Sequence, residues 1–296
     1  QALGHTVFGC DIYPREWTAL AGELDFFQAR LATEGEPYVE QLREAVRRNG
    51  LDFLIPLTDP EVDALAPRKA EFRALGCTVC VPEERVAALC RRKDTMNRFL
   101  AEKQVCRLIP TEAAVPGQPC PFPFPVMVKP RSGRSSLGQA VAADEKSYQT
   151  ALAGREDCIV QPFLEGDIFC VDVARDAFGH TRAAARQELL RNKSGLGMTV
   201  EVLPGHPLEA VCAAIAEAVG LVGVVNMEFI RHGDDFFFLE VNPRFSGGVG
   251  FSMAAGMDFA EMMLCCHSCG SVEAFPAAPK HALLARESTI VLTQLR

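Results

Sequence analysis

The sequence lacks any apolar run that approaches the roughly 18 residues needed for a membrane-spanning helix. It also lacks an excess of positive charge, since 30 Lys and Arg residues stand against 38 Asp and Glu residues, for a net charge of −8. We therefore expect no membrane partner and no nucleic acid partner. A site for a polyanion must be a local basic pocket within an acidic protein.

Two signatures of nucleotide-binding proteins are also missing. The sequence has no Gly-x-x-x-x-Gly-Lys-Ser/Thr, which excludes a Walker A phosphate loop. It has no Gly-x-Gly-x-x-Gly, which argues against a nicotinamide-linked dehydrogenase, the function class that N-terminal α/β units alone would allow. The chain starts at Gln1, and Gly4 to Val7 is typical of the second strand of such a unit, so we expect a first strand and its glycine-rich turn to precede it.

Cysteine, by contrast, is abundant, with twelve residues. Without a recognisable signal peptide they are expected to be reduced thiols of a cytoplasmic protein, many of them in the core. Cys77 and Cys80 lie in a predicted strand and face opposite ways, so they are poorly placed to chelate one ion. Cys266 and Cys269 close a predicted helix and are better placed, but a matching pair is far away in sequence. Buried free thiols are thus favoured over a structural zinc site.

The 296 residues, 48% hydrophobic and 23% charged, suffice for two or three globular domains. Strands predicted at 6–12, 51–56 and 77–81 alternate with helices at 38–49, 59–75 and 83–103, which indicates an α/β layer with a parallel sheet. Six prolines between 110 and 125 predict a linker. The hairpin, helix and strand that follow it predict a small α+β unit.

The stretch from Asn226 to Gly248 predicts a hairpin of two buried strands, each with one acidic residue. Glu240 and Asn242 lie two residues apart and therefore share a face of their strand, and Glu228 lies in the partner strand. Two carboxylates and an amide oxygen from adjacent strands suit Mg²⁺ held against phosphate oxygens. Arg244 follows at the same spacing and can face a developing negative charge. The alternative is an ordinary hairpin that ends in an Asn-Pro turn.

Two further segments are candidates for nucleotide binding. The loop after Lys129 contains Ser132, Gly133, Ser135 and Ser136, so its backbone N–H groups and hydroxyls can approach phosphates. The segment from Gln161 to Glu165 can offer backbone groups to an adenine edge, with Phe163 and Leu164 as apolar walls. Taken singly, these segments also fit a solvated hairpin tip and an apolar strand end.

In order along the chain, these segments resemble the ATP-grasp superfamily. The resemblance is carried by Lys93-Asp94, Val126-Met127-Val128-Lys129-Pro130 with its glycine loop, Gln161-Pro162-Phe163-Leu164-Glu165-Gly166, Asn226-Met227-Glu228, and Leu239-Glu240-Val241-Asn242-Pro243-Arg244-Phe245-Ser246-Gly247-Gly248. Within the superfamily, the sequence looks most like the carbamoyl-phosphate-synthase-like members and the amino-acid ligases similar to them. The resemblance implies a Rossmann-like α/β domain at 1–92 before an ATP-grasp domain at 93–296, with a small lobe at about 110–175 and a large lobe at about 176–296.

The resemblance also implies roles for individual residues. Lys93 and Lys129 would contact ATP, the loop 132–138 would close over the triphosphate, and Gln161, Phe163 and Leu164 would form the adenine hinge. Glu228, Glu240 and Asn242 would hold Mg²⁺, with Mn²⁺ as an alternative ion. Arg244 would face the transferred phosphoryl group, and Arg191 or Lys193 would lie near the substrate. The hinge of the superfamily usually begins with Glu rather than Gln161, and Ile168 stands where an acid often binds the ribose, which leaves Glu165 and Asp167 as candidates for the ribose.

The function implied is an ATP- and Mg²⁺-dependent ligase that joins a small-molecule carboxylate to an amine or ammonia through an acyl phosphate. Such a protein is expected in the cytoplasm, and a homodimer is compatible with the resemblance. A non-catalytic ATP-binding regulatory module and a component of a carbamoyl-phosphate-synthase-like complex are the alternatives. The sequence does not specify the acid or the amine.

Overall fold

The structure is a computed structural model that describes residues 4–133 and 137–293. Ser135 and Ser136 of the predicted phosphate loop lie outside these ranges. Within them, no helix combines the length and the apolar character that crossing a membrane requires. All twelve cysteines are within the described ranges and are free thiols.

The N-terminal part alternates strands and helices, as the sequence predicts. Its elements are β1 (Phe8–Asp11), β2 (Asp25–Gln28), α1 (Glu36–Asn49), β3 (Phe53–Leu54), α2 (Asp59–Leu65), α3 (Lys69–Ala74) and β4 (Thr78–Val79). The strands pair in parallel, but as two separate two-stranded sheets, β1 with β2 and β3 with β4, rather than as one sheet. The sequence analysis missed β2, and a Rossmann-like arrangement stays a prediction. The helix predicted at 59–75 is divided by a 3₁₀ turn at Ala66–Arg68, where Pro67 removes a backbone donor.

The long helix predicted at 83–103 is instead two helices, α4 (Glu84–Arg91) and α5 (Lys93–Lys103). Arg92 between them is extended, with φ −112° and ψ 105°. The backbone N–H of Lys93 donates to the carbonyl of Arg131 at 3.0 Å, which joins the start of α5 to the loop after the Lys129 strand. The break therefore places Lys93 at the N-terminus of a helix rather than on the surface of a longer one.

A four-stranded antiparallel sheet follows. After β5 (Arg107–Leu108), its elements are β6 (Glu112–Ala114), β7 (Val126–Pro130), β8 (Ala140–Ala142), α6 (Glu145–Leu152) and β9 (Cys158–Pro162). The strand order is β6-β9-β7-β8, so β6 lies within the segment that the prolines predict to be a linker. Asp144 caps α6 by accepting the N–H of Ser147, and Tyr148 and Leu152 of this helix are buried against the sheet.

The larger sheet has seven strands in the order β15-β12-β11-β10-β13-β14-β5. Its remaining elements are β10 (Asp167–Arg175), β11 (Thr181–Arg191), β12 (Gly197–Val202), α7 (Pro207–Val219), β13 (Gly223–His232), β14 (Asp235–Asn242), α8 (Val249–Ala254), α9 (Phe259–His267) and β15 (Ala282–Ala285). The sequence analysis put β10 in the small lobe, and this is wrong. The strand pairs with β11 and β13, and its Phe169, Val171 and Val173 pack into the core under α7.

The strand period divides the large sheet into an apolar face and a polar face. Phe169, Val171 and Val173 of β10 belong to the apolar face. The alternate positions of four neighbouring strands carry polar side chains that share one face of the sheet. These are Asp172 in β10, Arg186 and Glu188 in β11, Asn226 and Glu228 in β13, and Glu240 and Asn242 in β14. The sheet therefore gathers seven polar side chains on one surface.

Candidate functional site

A cavity of about 590 Å³ lies over this polar surface. The four-stranded sheet, the seven-stranded sheet and α5 all contribute to its walls. Predicted site residues among its lining are Lys93, Lys129, Gly133, Gln161, Phe163, Leu164, Glu165, Arg191, Glu228, Glu240, Asn242 and Arg244. One cavity thus brings together most of the residues that the sequence analysis singles out.

The two acidic residues of the hairpin are direct cross-strand neighbours. Glu228 lies opposite Glu240 in the register, and Asn226 lies opposite Asn242. Both carboxylates are recessed, with side chains 19% and 20% exposed. Burial, and then the charge of Glu240, raise the pKa of Glu228 to about 7. For Glu240 burial acts in the same direction, but the charge and hydrogen bond of Lys93, 3.0 Å away, together with the charge of Lys129 and the amide of Asn242, outweigh burial and lower the pKa.

This donor set fits a divalent cation. Two adjacent carboxylates hold two negative charges only at a cost, which the raised pKa of Glu228 records, and a divalent cation removes that cost. The amide of Asn242 lies beside them, and its Nδ2 donates to Oε1 of Glu240 at 3.4 Å. Within 4–133 and 137–293, no three or more His, Cys, Asp and Glu side chains form a metal-binding group. Two carboxylates and an amide suit Mg²⁺, which takes few protein ligands and completes its shell with phosphate oxygens and water.

Two lysines lie next to the acidic pair, and Nζ of Lys93 is 3.0 Å from Oε2 of Glu240. Lys129 of β7 is 5% exposed and Lys93 is 8% exposed. Burial lowers the pKa of Lys129 to about 8, and the charge of Lys93 contributes to that shift while Glu240 opposes it. Because two ammonium groups converge here, an anion between them is stabilised, as the phosphates of a nucleotide would be.

The end of β9 forms the apolar part of the cavity. Gln161 is 2% exposed, and its Nε2 donates to Oγ1 of Thr111 at 2.7 Å, which fixes the side chain at the cavity wall. Phe163 and Leu164 line the cavity beyond it. At Gly166 an added Cβ would lie 1.7 Å from the carbonyl oxygen of Arg231, so only glycine fits where this segment crosses β13.

The two candidates for the ribose are placed differently. Glu165 lines the cavity, but Asp167 does not. Asp167 lies opposite Arg231 in the register of β10 and β13, and its carboxylate is ion-paired with that guanidinium. The structure therefore brings Glu165, and not Asp167, to the site. Ser132 is exposed and also lies outside the cavity lining, whereas Gly133 lies within it.

Both arginines predicted to be catalytic line the cavity, and both are held by acids. Arg191 Nη2 lies 3.5 Å from Oε2 of Glu228, and its Nε donates to the carbonyl of Gly195 at 2.8 Å. Arg244 donates to both oxygens of Asp59, from Nε at 3.0 Å and from Nη2 at 3.2 Å. Lys193, the alternative to Arg191, is exposed and is not part of the lining.

A buried network around Arg186 was missed by the sequence analysis. This side chain is 1% exposed and bridges Asp172, at 2.6 Å from Nη1, and Glu188, at 3.1 Å from Nε. Its Nη2 also donates to the hydroxyl of Ser246 at 3.0 Å, next to the glycines that follow Arg244. The signal was present in the sequence, since Arg186 and Glu188 occupy alternate positions of an otherwise Ala-rich strand.

Residues 154–289 match the sequence profile of a family described as ATP-grasp in the biosynthetic pathway with Ter operon. The chain is also similar to formate-dependent phosphoribosylglycinamide formyltransferases. Identity is 27% over 275 residues with that of Synechococcus sp. and 27% over 278 residues with that of Burkholderia thailandensis. These matches cover 82% of this chain and 64% of the relatives, so the chain spans less than two thirds of their length.

Two solved structures are similar in fold. A biotin carboxylase–β,γ-ATP complex from Campylobacter jejuni superposes with a TM-score of 0.71 at 16% identity, over 90% of this chain and 65% of that one. An L-amino acid ligase from Bacillus licheniformis superposes with a TM-score of 0.69 at 16% identity, over 89% of this chain and 67% of that one. At these identities the likeness establishes a common fold.

Proposed function

We propose that this chain, whose residues 154–289 match an ATP-grasp family, is an ATP- and Mg²⁺-dependent ligase that joins a carboxylate to an amine or ammonia. The observation that carries this proposal is the Glu228–Glu240 pair, which faces Lys93 and Lys129 within one cavity. Adjacent carboxylates for a cation and adjacent ammonium groups for an anion are the two requirements of a Mg-nucleotide site.

The residues divide between two ends of the cavity. Gln161, Phe163 and Leu164 hold the base of the nucleotide, and Lys93 and Lys129 bind its phosphates. Glu228, Glu240 and Asn242 hold Mg²⁺, which supplies charge neutralisation to the phosphates when bound. Arg191 and Arg244 would face the γ-phosphate. A substrate carboxylate would attack its phosphorus in line, the bond to the β-phosphate oxygen would break, and ADP would leave.

The acyl phosphate formed by that attack reacts with an amine to give the amide and inorganic phosphate. Arg191 and Arg244 stabilise the negative charge that develops on the transferred group, because both are preorganised by acidic partners. The relatives support this reaction class, since their name joins formate, a small carboxylate, to phosphoribosylglycinamide, which carries an amine.

The substrates proposed are small molecules, one with a carboxylate and one with an amine. A homodimer is part of the proposal, because a similar structure, the biotin carboxylase domain of the Hydrogenobacter thermophilus 2-oxoglutarate carboxylase, is a dimer with MgADP (TM-score 0.72, 16% identity, 90% of this chain and 65% of that one). The carbamoyl-phosphate-synthase-like type stays a prediction.

A phosphate-release screen tests the proposal. Pairs of small carboxylates, formate and amino acids among them, with amines are incubated with the protein and Mg-ATP. The expected result is release of phosphate and ADP that requires both members of a pair. Binding of Mg-ATP without phosphate release for any pair would instead favour the non-catalytic regulatory module.

A further inference from the structure

Glu188 holds one oxygen that no group of the described structure satisfies. Its side chain is 2% exposed, and Oε1 accepts the N–H of Arg186 Nε at 3.1 Å. Oε2 is buried and has no hydrogen-bond partner. A buried carboxylate oxygen without a partner loses its hydration without compensation, at a cost of roughly 1 to 3 kcal/mol or more. Such an atom in a cavity wall indicates a donor that the ligand brings.

Arg186 fixes the position of this carboxylate and leaves the cluster negative. Its guanidinium donates to Asp172, Glu188, Ser246 and Ser252, the last at 3.4 Å. Asp172 also accepts the hydroxyl of Ser252 at 2.7 Å. One cation thus faces two carboxylates. An additional positive charge is favoured next to the cluster, whereas an additional anion is not.

Gly197 keeps the space beside this oxygen free of a side chain. A Cβ at position 197 would lie 2.0 Å from Oε2 of Glu188, which is too close for any substituent. Both residues line the cavity, on neighbouring strands β11 and β12. The cations Lys93, Lys129 and Arg244 also line the cavity. The cavity therefore offers cationic groups for an anion and, in Glu188, a carboxylate acceptor.

We propose that Oε2 of Glu188 accepts an N–H of the amine-bearing substrate, and that a primary ammonium group is the chemical class bound there. This inference rests on the proposed ligase function and names the residue that selects an amine. A charge-assisted hydrogen bond of this kind is among the stronger polar contacts in proteins. A hydroxyl in place of the ammonium keeps one donor but loses the charge, so the site discriminates amines from alcohols.

Direct binding tests the proposal with known probes. The full chain with Mg²⁺ and a non-hydrolysable ATP analogue is titrated calorimetrically with ammonium, methylammonium and glycinamide, and with glycolamide as the hydroxyl analogue of glycinamide. We expect at least one of the three cations to bind, and glycinamide to bind at least about tenfold more tightly than glycolamide. Failure of all three cations to bind overturns the proposal.

Two variants locate the contact. Glu188→Gln is expected to weaken binding of the cationic probe by roughly tenfold or more, with nucleotide affinity unchanged. Gly197→Ala keeps the charge but displaces Oε2, and the same loss is expected. Glu201→Gln is the matched control, because Glu201 lies on β12 outside the cavity lining and pairs with His281 at 2.8 Å.

Each remaining outcome decides between the two proposals. Unchanged affinity for the probe in both Glu188→Gln and Gly197→Ala overturns the amine contact and leaves the ligase proposal standing. Loss of Mg²⁺-dependent nucleotide binding in Glu188→Gln also overturns it, since Glu188 would then act on the metal. Failure of the unaltered chain to bind the nucleotide at all overturns the proposed function itself.

Discussion

Arg244 donates two hydrogen bonds to the carboxylate of Asp59, which lies 185 positions earlier in the sequence. Nε donates to Oδ1 at 3.0 Å, and Nη2 donates to Oδ2 at 3.2 Å. Asp59 is fully buried in the first turn of α2, and the side chain of Arg244 is 17% exposed at the cavity. Arg91 lies 3.6 Å from the same carboxylate. The N-terminal part of the chain therefore fixes the orientation of an arginine that we assign to the transferred phosphoryl group. This makes Asp59 a positioning residue.

We expect Asp59→Asn to lower kcat by about tenfold or more while KM for ATP changes little, because Arg244 loses its orientation and not its charge. Breaking a buried ion pair by removing one partner also costs on the order of 3 kcal/mol of unfolding free energy. Steady-state phosphate release and chemical denaturation measure the two effects.

Asp63→Asn is the control for this variant, since it lies one turn further along α2. Asp63 is 49% exposed and pairs with Arg91 at 3.0 Å, and an exposed pair contributes at most about 1 kcal/mol. We expect nearly normal kcat and stability. If Asp59→Asn loses stability and keeps full kcat, the pair serves only to join the two parts of the chain.

Glu240 is the residue on which the metal assignment depends most. Glu240→Gln is expected to lower phosphate release by about two orders of magnitude or more, as the loss of an electrostatic group at a reaction centre does. Asp235→Asn is the control, because Asp235 starts the same strand at a half-buried position and pairs with Arg107 at 3.1 Å. Substrate-dependent turnover near the level of the unaltered protein in Glu240→Gln would refute the assignment.

The acidic pair also predicts that the affinity of the site for Mg²⁺ depends on pH. Glu228 keeps its proton in the folded protein up to about pH 7, whereas an ordinary Glu loses it near 4.5. The folded state thus holds more protons in this window, and this group's contribution to the unfolding free energy falls as pH rises from 4.5 to about 7. Mg²⁺ must displace the same proton, so its affinity falls roughly tenfold for each pH unit below that pKa.

Thermal unfolding with and without Mg²⁺ measures this effect. We expect the stabilisation by Mg²⁺ to be small at about pH 6 and larger at about pH 8. In Glu228→Gln the difference between the two pH values should disappear. An equal stabilisation of the unaltered protein at both pH values would contradict a metal site that includes Glu228.

The local pattern of the sequence predicts the hairpin because its two strands are adjacent in sequence. The strand period alone puts Glu240 and Asn242 on one face, and the register then brings Glu228 opposite Glu240. Most helices and strands also lie where periodicity places them. The break at Arg92 was missed, since it depends on a contact between Lys93 and the distant Arg131, and a helical pattern on both sides hides it.

Contacts between distant residues account for the other differences. Asp59 begins the helix predicted at 59–75, but its partner Arg244 lies far along the chain and no periodicity connects them. The network of Arg186 involves β10, β11 and the segments after β14, and only the folded sheet brings them together. Chain order places β10 next to the small lobe. Its antiparallel pairing with β13, which the local sequence does not reveal, makes it part of the large sheet instead.

The two ribose candidates give a prediction in which one acid is the control of the other. Glu165 lines the cavity beside the hinge, whereas the carboxylate of Asp167 is ion-paired with Arg231 outside it. We expect Glu165→Ala to raise KM for ATP several-fold, by the roughly 1 kcal/mol of a lost hydrogen bond, and Asp167→Ala to leave it nearly unchanged. With 2′-deoxy-ATP the effect of Glu165→Ala should shrink, because the hydroxyl that the carboxylate binds is already absent. The opposite pattern, with Asp167→Ala sensitive to the 2′-hydroxyl, would require Asp167 to exchange Arg231 for the nucleotide on binding.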